Sequence, residues 1–185
     1  MDVHTLIRTR RSVRKHTDDK VTAAQIERIL EAIQWSPSWV NFQPWEVIVV
    51  EDPAMRERLA DCVPADNPGR KSVTRAPALL AVCGRQGESG FYKGEASTVH
   101  GDWVMFDLGI ATQNAALAAW DLGLGTLHLG LLDHAAAGEV LGLPDHVKCY
   151  ELIPVGVPLR EGKAPPRKAV ADFTHKDTFG RRYPE

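Results

Sequence analysis

The sequence predicts an α+β domain, and three observations carry that expectation. Four short runs, β-branched or wholly apolar and bounded by turn residues, read as strands: 45–50 (WEVIVV), 78–83 (ALLAVC), 126–129 and 149–157. Between them lie segments with helix caps and apolar residues at helical spacing. The chain has 185 residues, a length that usually makes one domain and buries a substantial core. We therefore expect one domain over 1–185, with residues 158–185 as an extended C-terminal arm.

Asp2 is placed to cap a short helix whose Val3, Leu6 and Ile7 share a face. Thr22-Ala23-Ala24-Gln25 is a capping box, and Ile26, Ile29, Leu30 and Ile33 follow at helical period until Ser36-Pro37. Asp52-Pro53 opens a third helix that ends near Cys62, with proline at its first position. Residues 64–75 read as a polar loop containing Asn67, Arg70 and Lys71. Residues 84–101 read as a long polar connection, the length and character of a lid or binding loop, with Phe91 and Tyr92 inside it. Residues 102–122 form the longest helix candidate, apolar on most sides and expected to be central and buried. Asp133 caps a helix through Leu141. Beyond Pro158 the chain is polar and proline-rich, with scattered Val170, Phe173 and Phe179. Such a tail cannot bury itself, so it is either disordered or lies on another surface, a partner subunit being the natural candidate.

The net charge of −2 gives no global pull towards nucleic acid or an acidic membrane. Cys62, Cys83 and Cys149 are far apart and form no CxxC, so a zinc ribbon, a thioredoxin motif and an iron–sulfur ligand set lack support. Cys83 and Cys149 sit in apolar runs, a pattern that fits a reducing cytoplasm. No apolar stretch approaches about 18 residues, and the N-terminus has no signal-peptide core, so a membrane span and export are not expected.

Against this acidic background, Arg8, Arg10, Arg11, Ser12, Arg14 and Lys15 put five cations beside one hydroxyl. Such density suggests an anion seat, with phosphate the leading anion, because the planar guanidinium offers two parallel donors and keeps its charge. The bland alternative is a solvated basic helix end. The segment from Ser36 to Trp45 is dense in amides and aromatics, and its two prolines fix its path. Asn41 and Gln43 each offer a donor and an acceptor, which suits the edge of a heterocycle. Trp39, Phe42 and Trp45 offer planar walls, although Trp45 also reads as a buried strand residue.

At these residues the chain resembles the FMN-dependent nitroreductase family. Four segments carry the resemblance in order: Arg10-Arg11-Ser12-Val13-Arg14; Ser36-Pro37-Ser38 through Asn41-Phe42-Gln43-Pro44-Trp45; residues 107–126 (DLGIATQNAALAAWDLGLGT); and residues 152–158 followed by Pro166-Arg167-Lys168. The resemblance implies a central mixed or antiparallel sheet flanked by helices, with the C-terminal arm exchanged between subunits of a homodimer. It also implies two FMN sites at the subunit interface, with NAD(P)H as reductant. Arg10, Ser12 and Arg14 would then hold the phosphate and ribityl chain, Arg11 would lie near the flavin, and Arg167 would face the phosphate from the arm. Pro37, Ser38 and Asn41 would reach the flavin of the other subunit. The backbone of Leu129, Gly130 and Leu131 would face N5 and O4, and Asn67 and Lys71 would approach the pyrimidine side. Trp39, Phe91 and Tyr92 are the candidate substrate pocket. Pro165 stands where some relatives carry a lysine, which brings Lys168 and Arg160 into view as neighbouring cations. Gly130 is followed by Leu131 where others have an acidic residue before the glycine. No side chain is expected to act as a catalytic acid or base in the first half-reaction.

Gly123-Leu124-Gly125 follows a helix, has the wrong spacing for a dinucleotide fingerprint and reads as a helix C-cap. His128, His134 and His146 lack metal-ligand spacing, so no metal is expected. The leading expectation is an oxidoreductase passing electrons from NAD(P)H to a small electron-poor acceptor, a nitroaromatic or a quinone, by a ping-pong mechanism. The alternatives are an FMN enzyme of the same scaffold that dehalogenates, desaturates or cleaves flavin, and a non-catalytic flavin-binding module. Binding of the basic start to nucleic acid or an acidic partner is disfavoured by the overall charge.

Overall fold

A computed structural model of the chain describes residues 1–160 and 162–183. Glu161, Pro184 and Glu185, all in the expected arm, lie outside the described residues. The helices are α1 (Val3–Thr9), α2 (Ala23–Gln34), α3 (Pro53–Asp61), α4 (Arg70–Arg75), α5 (Val104–Asp121) and α6 (His134–Leu141). The strands are β1 (Trp45–Val49), β2 (Ala78–Arg85), β3 (Phe91–Tyr92), β4 (Glu95–Ala96), β5 (Gly125–Thr126) and β6 (Val147–Gly156). The described residues form a four-stranded sheet ordered β1-β2-β6-β5, with every ladder antiparallel.

The continuous apolar run of β2 follows from its place in the sheet. Leu79, Ala81 and Cys83 pack on one face with Leu59 of α3, Val73 of α4 and Ala137 of α6. Ala78, Leu80 and Val82 pack on the other with Ile29 and Ile33 of α2 and Leu108, Ala111 and Ala115 of α5. A strand covered on both faces has no polar side, so period-2 alternation is absent. Burying each large aliphatic side chain contributes about 1.5–3 kcal/mol. All three cysteines are free and buried, and the Cys83 thiol together with burial pushes the Cys149 thiol up, so it stays protonated.

The caps read from sequence form. The Asp2 carboxylate accepts from Thr5 N at 3.1 Å, and Thr22 and Gln25 close a capping box. Asp52 and Asp133 cap α3 and α6. Gly123 adopts a positive φ of 76° just past α5, as a helix C-terminus requires.

Four elements differ from expectation. The strand expected at 126–129 is only Gly125–Thr126, because the chain then leaves the edge of β6 and returns to it at a single bridge between Leu129 and Leu152. Residues 70–75 are helical, because α4 docks Val73 into the core. The polar connection 84–101 contains the β3–β4 hairpin. One face of α5 packs on the sheet, whereas Met105 and Phe106 are 68% and 59% exposed and leave an apolar stripe open. No helix among the described residues is long and apolar enough to cross a membrane.

The basic segment after α1 is laid along the sheet edge by backbone bonds. Ser12 forms a parallel bridge to Thr126, and Val13 N donates to Thr126 O at 2.8 Å. Thr17 N donates to Val157 O at 2.9 Å, and Leu159 N donates to Lys15 O at 3.0 Å. Two glycines of the β5–β6 pair make room for this approach. A Cβ on Gly125 would overlap the Val13 side chain, and one on Gly156 would lie 3.0 Å from His16 Cβ. Gly125→Ala is therefore expected to destabilise the protein by about 1–3 kcal/mol, the usual cost of overpacking, read as a lower urea midpoint with an unchanged m value.

Candidate functional site

The seam just described fixes the floor of a basic cavity. Its volume is about 680 Å³, and it is lined by the 12–16 segment, by α4 and by the start of the tail. Six cations line it: Arg14, Lys15, Lys71, Arg75, Arg160 and Lys163. No Asp or Glu lines it among the described residues. Lys71 and Arg75 are four apart on α4 and so share a helix face. Ser12 and His16 also line the cavity, and burial holds the His16 imidazole below its ordinary pKa and thus neutral at pH 7.

Arg10 lies next to this cavity in sequence and carries a telling defect. Its Nη1 is buried with no hydrogen-bond partner. Burial, then the charges of Arg11 and Arg167, lower its pKa, which means the tail guanidinium of Arg167 lies within electrostatic reach. A buried guanidinium nitrogen without an acceptor is costly, and an anion is the group that removes the cost. Arg11 shares this feature at Nε, which is also buried without a partner, but its other end is used differently. Its Nη1 donates to Arg8 O at 2.7 Å and Arg10 O at 2.8 Å, tying off the end of α1. It lines a second cavity of about 580 Å³ with Met1, Thr9 and Trp120. Lys168 is exposed in the tail beside Arg167.

On α4's approach, Asn67 Oδ1 accepts from Gly69 N at 2.8 Å and so shapes the turn. Leu129 is pinned to β6 by paired 3.1 Å backbone bonds with Leu152. Gly130 and Leu131 follow it outward. Leu131 is 67% exposed, and among the described residues the N–H groups of Gly130 and Leu131 have no acceptor. A Cβ at Gly130 would meet only Tyr150 O at 3.7 Å, so the space above this backbone is open.

The amide- and aromatic-rich loop forms a separate corner. Trp39–Asn41 is a short 3-10 turn. Val40, Asn41 and Gln43 all have positive φ, at 46°, 60° and 50°. For β-branched Val40, which is 80% exposed, this conformation is strained by about 1–3 kcal/mol. The surroundings hold it there. Gln43 N donates to Ser38 Oγ at 2.8 Å, and Gln43 Nε2 donates to Asn41 Oδ1 at 3.2 Å. Arg85 donates to the carbonyls of Phe42 and Gln43. Asp107, buried on α5, accepts from Trp39 N at 3.1 Å and from Ser89 Oγ in the connection.

Trp39 packs on Trp103, with ring centroids 5.0 Å apart, and Trp103 packs on Phe106 at 5.1 Å. Pro37, Ser38 and these rings line a small cavity of about 210 Å³. Phe91 is half-buried and Tyr92 is 69% exposed with Lys93 over its ring, so the contacts of Trp39 are with Trp103 and not with the hairpin aromatics.

The structure thus brings Ser12, Arg14 and Lys71 to one cavity and Pro37, Ser38 and Trp39 to another. Lys15 of the basic cluster and Arg160 of the tail line the same cavity as Arg14, whereas sequence reasoning missed Arg75 and Lys163 as cavity cations, and Trp103 and Asp107 as parts of the aromatic corner. His128 pairs with Glu151 at 2.9 Å and His134 contacts Cys149 O at 2.9 Å, so these two histidines have separate local partners.

Comparison with known proteins follows this geometry. The nitroreductase family profile matches residues 7–157. A protein of Methanothermobacter thermautotrophicus, provisionally named an NADH dehydrogenase/NAD(P)H nitroreductase, is 37% identical over 162 residues, 85% of this chain and 78% of its own. An FMN reductase (NAD(P)H) of Bacillus subtilis is 28% identical over 184 residues, 91% of this chain and 71% of its own. The crystal structure of a provisionally named NADH dehydrogenase/NAD(P)H nitroreductase from Parabacteroides distasonis is similar, with a TM-score of 0.79 and 26% identity, covering 95% of this chain and 98% of that one. With the profile spanning four-fifths of its length and a relative above 30% identity, this chain belongs to the nitroreductase family.

Proposed function

We propose that this chain is an FMN-dependent NAD(P)H oxidoreductase that reduces electron-poor acceptors, such as nitroaromatics and quinones, in a pocket used alternately by reductant and acceptor. One observation carries the reading: the cations around the basic cavity have no side-chain partner among the described residues, and Arg10, next to them in sequence, buries an unsatisfied donor. A phosphate monoester supplies the missing charge and acceptors. The names of relatives, among them FMN reductase and NADPH-dependent oxidoreductase, point the same way.

In this reading Arg10, Ser12, Arg14 and Arg167 hold the phosphate and ribityl chain, with Lys168 beside them. Arg11 acts from behind, fixing the backbone that presents Arg10. Asn67 and Lys71 approach the pyrimidine edge, where a cation favours negative charge on the ring and so raises its reduction potential. The free N–H of Gly130, between Leu129 and Leu131, offers a main-chain donor with open space in front of it. FMN, when bound, supplies the two-electron exchange between NAD(P)H and acceptor. The chain's own task is to position the partners, and protons for the acceptor come from water.

The reading also assigns a second copy of the chain. The α5 stripe of Met105, Phe106, Gly109 and Ile110 borders a groove of about 510 Å³ and faces outward. A homodimer covers it, brings Pro37, Ser38 and Asn41 to the other protomer's flavin, sets Trp39 over the acceptor, and gives the tail's exposed Val170, Phe173 and Phe179 a surface in the exchanged arm. Phe91 and Tyr92 then border the same pocket from the hairpin.

Arg10→Ala and Arg14→Ala proteins are expected to purify with little flavin and to bind added FMN at least tenfold more weakly than the wild type in a fluorescence-quenching titration. Full flavin content in both would refute the assignment. Gly109→Arg tests the dimer cleanly, because a Cβ at Gly109 meets nothing within 4 Å in the single chain and arginine suits a helix better than glycine. Light scattering is expected to show a folded monomer, and a dimer of unchanged stability would contradict the placement.

A further inference from the structure

Resting on the FMN reading, the charge around the large cavity carries one step more. Outside the cavity, Arg28 pairs with Glu31, Arg70 with Asp61 and Arg85 with Glu46 and Glu88, and Arg56 and Arg182 donate to backbone carbonyls. The six cations of the cavity make no such bond among the described residues. They come from three separate elements, the 12–16 segment, α4 and the start of the tail. A chain with net charge −2 has carboxylates to spare, and none is spent here among the described lining residues.

One flavin phosphate carries about two negative charges near neutral pH. Arg10, Arg14 and Arg167 already match it, and Lys71 serves the ring. Lys15, Arg75, Arg160 and Lys163 are left over. Glu161, which lies outside the described residues, offsets one of these charges at most. A second, more highly charged anion therefore shares the site. NADH brings only its pyrophosphate, with two charges. NADPH adds a 2′-phosphate, a monoester with roughly two more and with oxygens suited to a guanidinium fork. Arg160 and Lys163 stand three residues apart on the tail and are both exposed, free to close on such a group.

We infer that the chain selects NADPH over NADH, with Arg160 and Lys163 receiving the 2′-phosphate and Lys15 and Arg75 the pyrophosphate. The relatives' names divide between the two reductants, so the choice rests on these side chains.

The test is calorimetric titration of the flavin-loaded protein with 2′,5′-ADP, 5′-ADP and, as a control of equal charge, 3′,5′-ADP. The wild type is expected to bind 2′,5′-ADP at least tenfold more tightly than either of the others, and to show kcat/KM at least tenfold higher with NADPH than with NADH. In the Arg160→Ala/Lys163→Ala double variant both ratios are expected to fall towards one, with the flavin absorbance ratio checked in the same sample. Equal binding of 2′,5′-ADP and 3′,5′-ADP would reduce the effect to bulk charge and overturn the inference, as would a preference that survives the double substitution. A protein without flavin bands that keeps the tenfold preference would overturn the FMN reading and leave the 2′-phosphate site standing.

Discussion

Positive charge held together by backbone geometry is the constraint on which the rest of the molecule turns. Two unit charges about 8 Å apart repel by only ~0.5 kcal/mol in water, so an open cavity tolerates several of them. Each nonetheless adds to the attraction felt by an incoming anion. The fold keeps the cluster from dispersing by binding its backbone and not its side chains: Val13 to Thr126, Thr17 to Val157 and Lys15 to Leu159. Gly125 and Gly156 are small because the segment must come this close. The side chains are left unspent, which is the condition for holding a ligand.

The second organising feature is Asp107. It is a buried carboxylate on a mostly apolar helix, and its hydrogen bonds join three elements: the loop of Trp39, the connection carrying Ser89, and α5 itself. The positive φ of Val40 is maintained against its own strain by this anchor and by Arg85. Strain that persists because the surroundings over-determine it is usual where a loop must meet a ligand. α5 thus presents the aromatic corner at one end and the apolar stripe along its outer face.

Much of the fold was legible because local signals and packing agree. The Thr22–Gln25 capping box, the Asp52-Pro53 start and the two-faced apolar run of β2 each state their structure in sequence. The α4 helix was not legible. It has six residues, its N-cap Gly69 offers no side-chain bond, and Val73 is the one apolar anchor in RKSVTR. That omission hid part of the site as well, since Lys71 and Arg75 share a face only once residues 70–75 are known to be helical. Lys163 was hidden for another reason: it reaches the cavity through a chain path that no periodicity encodes. Asp107 did leave a signal, a single acid among the mostly apolar neighbours that open α5. The N-terminal cluster was legible as a concentration of cations, but the use of Arg11 Nη1 to tie off α1 depends on how that helix ends and needs coordinates.

The most direct measurement is the flavin content of the untreated wild-type protein. After purification and exhaustive buffer exchange, its visible spectrum and the FMN released on denaturation give a ratio of flavin to protomer. The account predicts a ratio close to one, with FMN and not riboflavin as the released species. A colourless protein that also takes up no FMN at micromolar concentration would contradict it.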